Sequence, residues 1–115
     1  MDFWKCAKGY LALKSLRPEV IKVDTMGFPQ AAAEGITLAG YSYDLKTSDE
    51  EKMEPIPVEP MDASLLEQWS LGVSFGKSQN IARQLSDSPS NLMTPSLFCD
   101  QVGKLIETYG LSSVI

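Results

Sequence analysis

The stretch Asn80-Ile81-Ala82-Arg83-Gln84-Leu85-Ser86-Asp87-Ser88-Pro89-Ser90-Asn91-Leu92-Met93-Thr94-Pro95 organises the second half of this chain. It reads as the end of one helix, a Pro/Ser/Asn loop, and the capped start of another. Thr94 is a good N-cap and Pro95 suits the first helical position, where no N–H partner is needed. After it, Leu97, Phe98, Val102, Leu105, Ile106 and Tyr109 fall on one helical face, and Gly110 ends the helix. Ser112 to Ile115 begin a further apolar run.

Before it, a long helix is predicted to start at Asp62 or Ser64 and to run to about Leu85. Glu67, three residues after Ser64, suggests a capping box. Leu65, Leu66, Trp69 and Val73 mark its first apolar face; Phe75, Ile81, Ala82 and Leu85 mark its second half. Gly72 and Gly76, four apart, invite another element to pack closely.

Residues 44–62 change character. The polar run from Lys46 to Glu54 gives way to Pro55, Pro57 and Pro60, alternating with Ile56 and Val58. Prolines cannot donate to a sheet ladder and favour extended chain, so this stretch reads as a linker. Upstream, residues 3–16 carry Phe3, Trp4, Ala7, Tyr10, Leu11, Leu13 and Leu16 at near-helical spacing, with positions 3, 7, 10 and 11 on one face, stopped at Arg17-Pro18. Val20 to Val23 is a short β-branched strand, left without a partner on this reading. From Pro29 a small-residue helix follows, with Ala32, Ile36, Ala39 and Tyr43 as its stripe. Trp4 and Trp69 read as core or interdomain anchors.

With 115 residues, one domain is accommodated and two ordinary ones are not. The net charge of −5 supplies no basic stripe for nucleic acid and disfavours anionic membrane surfaces. There is no histidine, so the commonest general base and zinc ligand are both missing. Cys6 and Cys99 make no disulfide framework and read as two free, buried thiols. Met1 to Cys6 form no secretory signal, no apolar run reaches the length of a membrane span, and a cytoplasmic location is expected.

Three motifs have a chemical and a plainer reading. Ser74-Phe75-Gly76-Lys77 spells the Ser-x-x-Lys nucleophile motif without its partner motifs, and solvent-facing helix positions are the plainer reading. Asp49, Glu50, Glu51 and Glu54 lack the glycine turn and ligand spacing of a calcium loop, and read as solvated charge. Arg83 reads as a structural group that pairs with a carboxylate or caps carbonyls, and Asn91 as a turn residue.

The pattern Asn80, Ala82, Arg83, Leu85, Pro89, Asn91 and Thr94-Pro95 resembles a signature stretch of the leucine (cytosol) aminopeptidases. Val23-Asp24, Gln30 to Gly35, Gly40-Tyr41 and Tyr43-Asp44 are similar to the last helix of that family's N-terminal domain. Trp69, Gly72 and Val73 are similar to its interdomain helix. The resemblance runs from about Val20 to Asp100. It implies an α/β fragment, mostly helical, in which residues 1–43 end a macro-like N-terminal domain. Residues 44–62 would be the linker, and 63–115 the interdomain helix and the start of the catalytic peptidase domain.

The family removes N-terminal residues from peptides using two divalent metals, zinc or manganese, held by Asp, Glu and Lys, and its subunits form hexamers. This chain has no match to the family's Asn-Thr-Asp-Ala-Glu-Gly-Arg segment. The resemblance therefore assigns no catalytic, cofactor-binding or metal residue here, and implies an inactive truncated piece. The rival reading is a non-catalytic module that self-associates or docks on homologous subunits through the apolar faces of residues 65–85 and 97–109. A third, an unrelated small scaffold, would make the ordered matches coincidence.

Overall fold

The structure, a computed structural model, describes residues 3–43 and 54–111. The acidic cluster Asp49 to Glu51, most of the polar linker, and the run from Ser112 lie outside the described residues. The elements are α1 (Phe3–Lys14), β1 (Ile21–Val23), α2 (Pro29–Ala39), β2 (Val58–Pro60), a 3-10 turn (Ala63–Leu65), α3 (Leu66–Asp87) and α4 (Pro95–Thr108). Up to Ile81 the described residues form one compact unit, and from Ala82 a second.

The lone strand acquires a partner from the stretch that reads as linker. β2 pairs with β1 in parallel, with Ile21 opposite Val58 and Val23 opposite Pro60. The Ile21 amide donates to the Pro57 carbonyl at 2.9 Å, and the Met61 amide to the Val23 carbonyl at 2.9 Å. In a parallel ladder alternate residues face a given neighbour, so positions 57, 59 and 61 face β1 and position 60 does not. The N–H that Pro60 lacks is not needed, and Pro57 contributes a carbonyl at the strand's start. Prolines are tolerated in an edge strand for this reason.

α2 is the centre of the first unit. Ala32 and Ala33 are fully buried, and Ile36 nearly so. They join Tyr10 of α1, Ile21 of β1 and Trp69 of α3 in one core, with Cys6, Val23, Ile56, Val58 and Val73 against it. On one flank, Gly35 lets α2 approach the Phe3 carbonyl of α1: an added Cβ would stand 2.7 Å from that oxygen. On another, Gly72 and Gly76 of α3 meet Gln30, Ala33 and Thr37. Positions 30, 33 and 37 fall on one side of an α-helix and position 35 on the far side, so α1 and α3 clamp α2 from opposite flanks.

Local signals set the helix ends. Pro29 occupies the first turn of α2. Asp62, not Ser64, caps the 3-10 turn that leads into α3; its carboxylate accepts from the Ser64 amide at 2.9 Å and the Ser64 hydroxyl at 2.7 Å. That hydroxyl is thereby committed to Asp62, which replaces the expected Ser64–Glu67 box. α1 stops at Lys14, and Arg17, directly before Pro18, takes a left-handed φ of 48°.

The second unit contains the end of α3, the loop, and α4. Thr94 caps α4 through the Leu97 amide. At its other end Gly110 has φ 63°, its amide donates to Glu107, and the Leu111 amide donates to Ile106 at 2.9 Å. That bond pair is a Schellman motif, with glycine where the left-handed residue must be.

Candidate functional site

The signature asparagine has a definite structural task. The last turn of α2 leaves carbonyls without intrahelical donors. The Gly40 amide takes Ile36, the Tyr41 amide takes Leu38, and the Asn80 side-chain amide of α3 takes the Thr37 carbonyl at 2.9 Å. One turn away the Gln79 amide donates to the Glu34 carboxylate. With the glycine seam of Gly72 and Gly76, these bonds fix α3 along α2. The carbonyl role of Asn80 is invisible in sequence, because it depends on a residue 43 positions earlier.

Of the remaining motifs, the acidic run Asp49 to Glu51 lies outside the described residues, and the others have the following surroundings. Ser74 is exposed, and its hydroxyl donates to the Ser70 carbonyl at 3.0 Å. Lys77 is exposed as well. Ser78, Ser86 and Ser88 donate to the carbonyl four residues back in the same way. Glu54 and Arg83 are exposed. The turn at Asn91 is closed by backbone bonds, Leu92 to Pro89 and Met93 to Ser90, while the Asn91 side chain is exposed. Among the described residues no three of His, Cys, Asp and Glu stand close enough to hold a metal ion.

The cysteines are both free, but not both buried. Cys6 is half-buried against the core, and burial pushes its thiol up; Cys99 is exposed on α4. The tryptophans also part company. Trp69 is a core residue at 5% exposure, whereas Trp4 is 69% exposed, its ring edge-on to Phe3. α4 buries none of its residues, so Leu97, Phe98 and Tyr109 lie exposed, and on α3 so do Leu66, Leu71 and Phe75. A cleft of about 300 Å³ opens at the start of α2, lined by Gly27, Phe28, Pro29, Gln30, Ala31, Glu34 and Gln68.

No family model matches the chain. Individual relatives do. It is 38% identical to the cytosol aminopeptidase of Rattus norvegicus over 103 residues, which is 89% of this chain and 19% of that protein. To the human cytosol aminopeptidase it is 36% identical over 103 residues, again 89% of the chain and 19% of the relative. To that of Bos taurus it is 32% identical over 108 residues, 93% of the chain and 20% of the relative. The chain belongs to the leucine (cytosol) aminopeptidase family. It spans about a fifth of the length of the curated relatives it matches.

Within that family segment, the signature stretch around Asn80 is the part of α3 that grips α2, and Thr94-Pro95 is the cap of α4. No helix among the described residues is long and apolar enough to cross a membrane.

Proposed function

We propose that this chain supplies the junction of an aminopeptidase that releases N-terminal residues from peptides in the cytosol. Residues 1–43 close its N-terminal α/β domain, 44–62 lead out of it, and 63–115 form the interdomain helix and the entry to the catalytic domain. β2, inside the 44–62 stretch, keeps that lead-out attached to β1. The observation that carries this reading is the match across 89% of the chain to one-fifth of proteins named cytosol aminopeptidase. The bonds of Asn80 and Gln79 to α2 give its signature segment a physical purpose. The family's two divalent metals, zinc or manganese, do not fit the described residues, so no hydrolytic step is assigned to them. The 115 residues alone are expected to be inactive.

Two experiments test this. The purified chain, given leucine p-nitroanilide with manganese or zinc, should turn over nothing; metal-dependent turnover that survives repurification overturns the inactivity. Residues 20–100, grafted in place of the matching segment of the rat enzyme, should leave a folded, active aminopeptidase. A folded chimera without activity overturns the junction reading.

The exposed apolar side chains of α3 and α4 favour a second reading, a module that docks on homologous full-length subunits. Mixed with a full-length relative, it would change hydrolysis rate or oligomer size; no change in either removes this reading.

A further inference from the structure

The chain has seven prolines, and a hydroxyl residue precedes only two of them, Pro89 and Pro95. Both pairs, Ser88-Pro89 and Thr94-Pro95, lie in the second unit, at the two ends of the loop that joins α3 to α4. Pro89, Thr94 and Pro95 are exposed, and Ser88 is half-buried. The Ser88 Oγ donates to the Gln84 carbonyl at 2.8 Å, and the Thr94 Oγ accepts from the Leu97 amide at a long 3.4 Å. Thr94 is already extended, with φ −69° and ψ 159°. The following proline favours that geometry, because its ring disfavours helical angles in the residue before it. α4 buries none of its residues, so opening its first turn to an enzyme gives up little packing.

We propose that Ser88 and Thr94 are phosphorylated by a proline-directed serine/threonine kinase, with opposite effects on the helices they adjoin. In that step the side-chain Oγ attacks the γ-phosphorus of ATP. A P–O bond forms as the bond to the β-phosphate oxygen breaks, ADP leaves, and the hydroxyl proton passes to the kinase's catalytic carboxylate. Each phosphate carries roughly two negative charges at neutral pH. At Thr94 that charge sits at the positive end of α4, whose first turn holds no carboxylate, where its oxygens can accept from the Ser96 and Leu97 amides. At Ser88 it sits just past the negative end of the 22-residue α3, next to Asp87. There the bond to the Gln84 carbonyl is lost with the hydroxyl proton. Arg83, the nearest cation in sequence, already makes an interaction of its own. One phosphate thus tightens the start of α4 and the other loosens the end of α3. This proposal stands on the α3–α4 loop and is independent of the aminopeptidase reading.

The full 115-residue chain, incubated with an active MAP kinase and magnesium ATP, tests it by peptide mass spectrometry and hydrogen exchange. Phosphate should appear on both residues. Pro89→Ala should abolish labelling of Ser88 alone, and Pro95→Ala that of Thr94 alone. Both prolines are exposed, so neither substitution disturbs a core. In the Pro89→Ala chain, phosphate on Thr94 should slow exchange of the Phe98 and Cys99 amides about threefold, the factor a charge at a helix end supplies. In the Pro95→Ala chain, phosphate on Ser88 should speed exchange of the Ser86 and Asp87 amides by about the same factor. Phosphate missing from either residue overturns the proposal. So does labelling that survives the loss of its proline, or exchange at either helix end that stays unchanged or moves the other way.

Discussion

Gly72 of α3 lies against Ala33 of α2, so closely that a Cβ at position 72 would stand 2.9 Å from the Ala33 Cβ and overlap the Gln30 carbonyl. The nearest obstacle is backbone, which cannot step aside as a flexible side chain would. Gly72→Ala is therefore expected to destabilise the first unit by about 2 kcal/mol or more, through overpacking. Gly76→Ala meets the Thr37 Cβ at 2.6 Å and should act in the same direction. Gly103, inside α4, has nothing within 4 Å, so Gly103→Ala should stabilise α4 by about 0.5–1 kcal/mol through helix propensity. Urea denaturation of the three variants measures the contrast. Equal effects at positions 72 and 103 would show that the seam is not tightly packed.

Asn80 holds the Thr37 carbonyl at the open end of α2. Asn80→Ala removes one net hydrogen bond and should cost about 1 kcal/mol. Asn80→Asp should cost more, because a carboxylate cannot donate and would face both a carbonyl oxygen and the negative end of the α2 dipole. The ordering Asn, then Ala, then Asp in denaturation midpoint checks this. An aspartate variant as stable as wild type would contradict the assigned donor.

The Asp62 carboxyl is held below the usual carboxylate range, first by the Ser64 hydroxyl and then by the Ser64 amide. A carboxylate whose folded pKa is depressed contributes its stabilisation fully above its unfolded value and loses it as pH falls through the folded value. The cap at the entrance to α3 should therefore hold at neutral pH and loosen only at pH below the ordinary aspartate range. The Asp62 carboxyl carbon and the Ser64 amide, followed together by NMR, should titrate at one depressed midpoint. Asp62→Asn keeps an acceptor and should remove that pH dependence from the Ser64 amide.

The turn between β1 and α2 carries strain at one residue. The Phe28 amide donates to the Thr25 carbonyl across Met26 and Gly27, whose φ values are 48° and 82°. Two positive φ values define a turn in which glycine is comfortable and methionine is not. The Asp24 carboxylate accepts from the Met26 amide at 2.9 Å and helps to hold it there. Met26→Asn, a residue that tolerates this conformation and leaves that bond intact, should raise stability by up to about 1 kcal/mol. An unchanged or lower melting temperature would mean the Met26 side chain contributes more than its exposure suggests.

What the sequence conveyed depended on how local the signal was. Pro29, Thr94-Pro95 and Gly110 act within a few residues of themselves, and each helix end they mark stands where the residue type requires. Gly72 and Gly76 announced a close approach but not what approaches. β2 escaped notice because Pro57 and Pro60 argue against a strand unless the bonding parity of the partner is known, and that partner lies 37 positions upstream. In α1 the face read at positions 3, 7, 10 and 11 holds for Ala7 and Tyr10, which turn inward, but not for Leu11, which is exposed with Trp4, because the apolar residues cover more than one face and spacing does not show where the buried stripe ends. Cys99 was expected inside on residue type, yet α4 buries no residue at all.

Trp4 and Trp69 have opposite environments, 69% against 5% exposed, and this makes the fold of the first unit directly readable by fluorescence. Trp4→Phe leaves only Trp69, whose emission should be blue-shifted and poorly quenched by iodide. Trp69→Phe leaves only Trp4, which should emit near the wavelength of a solvated indole and quench readily. Energetically they should separate as well. Trp69→Ala empties a core site shared with α2 and should cost about 3–5 kcal/mol. A single small unit has about 5–15 kcal/mol in total, so that loss brings it close to unfolding. Trp4→Ala, at an exposed position, should stay within about 0.5 kcal/mol of wild type. If Trp69 quenches as freely as Trp4 in solution, α3 does not hold the place beside α2 that the glycine seam and Asn80 give it.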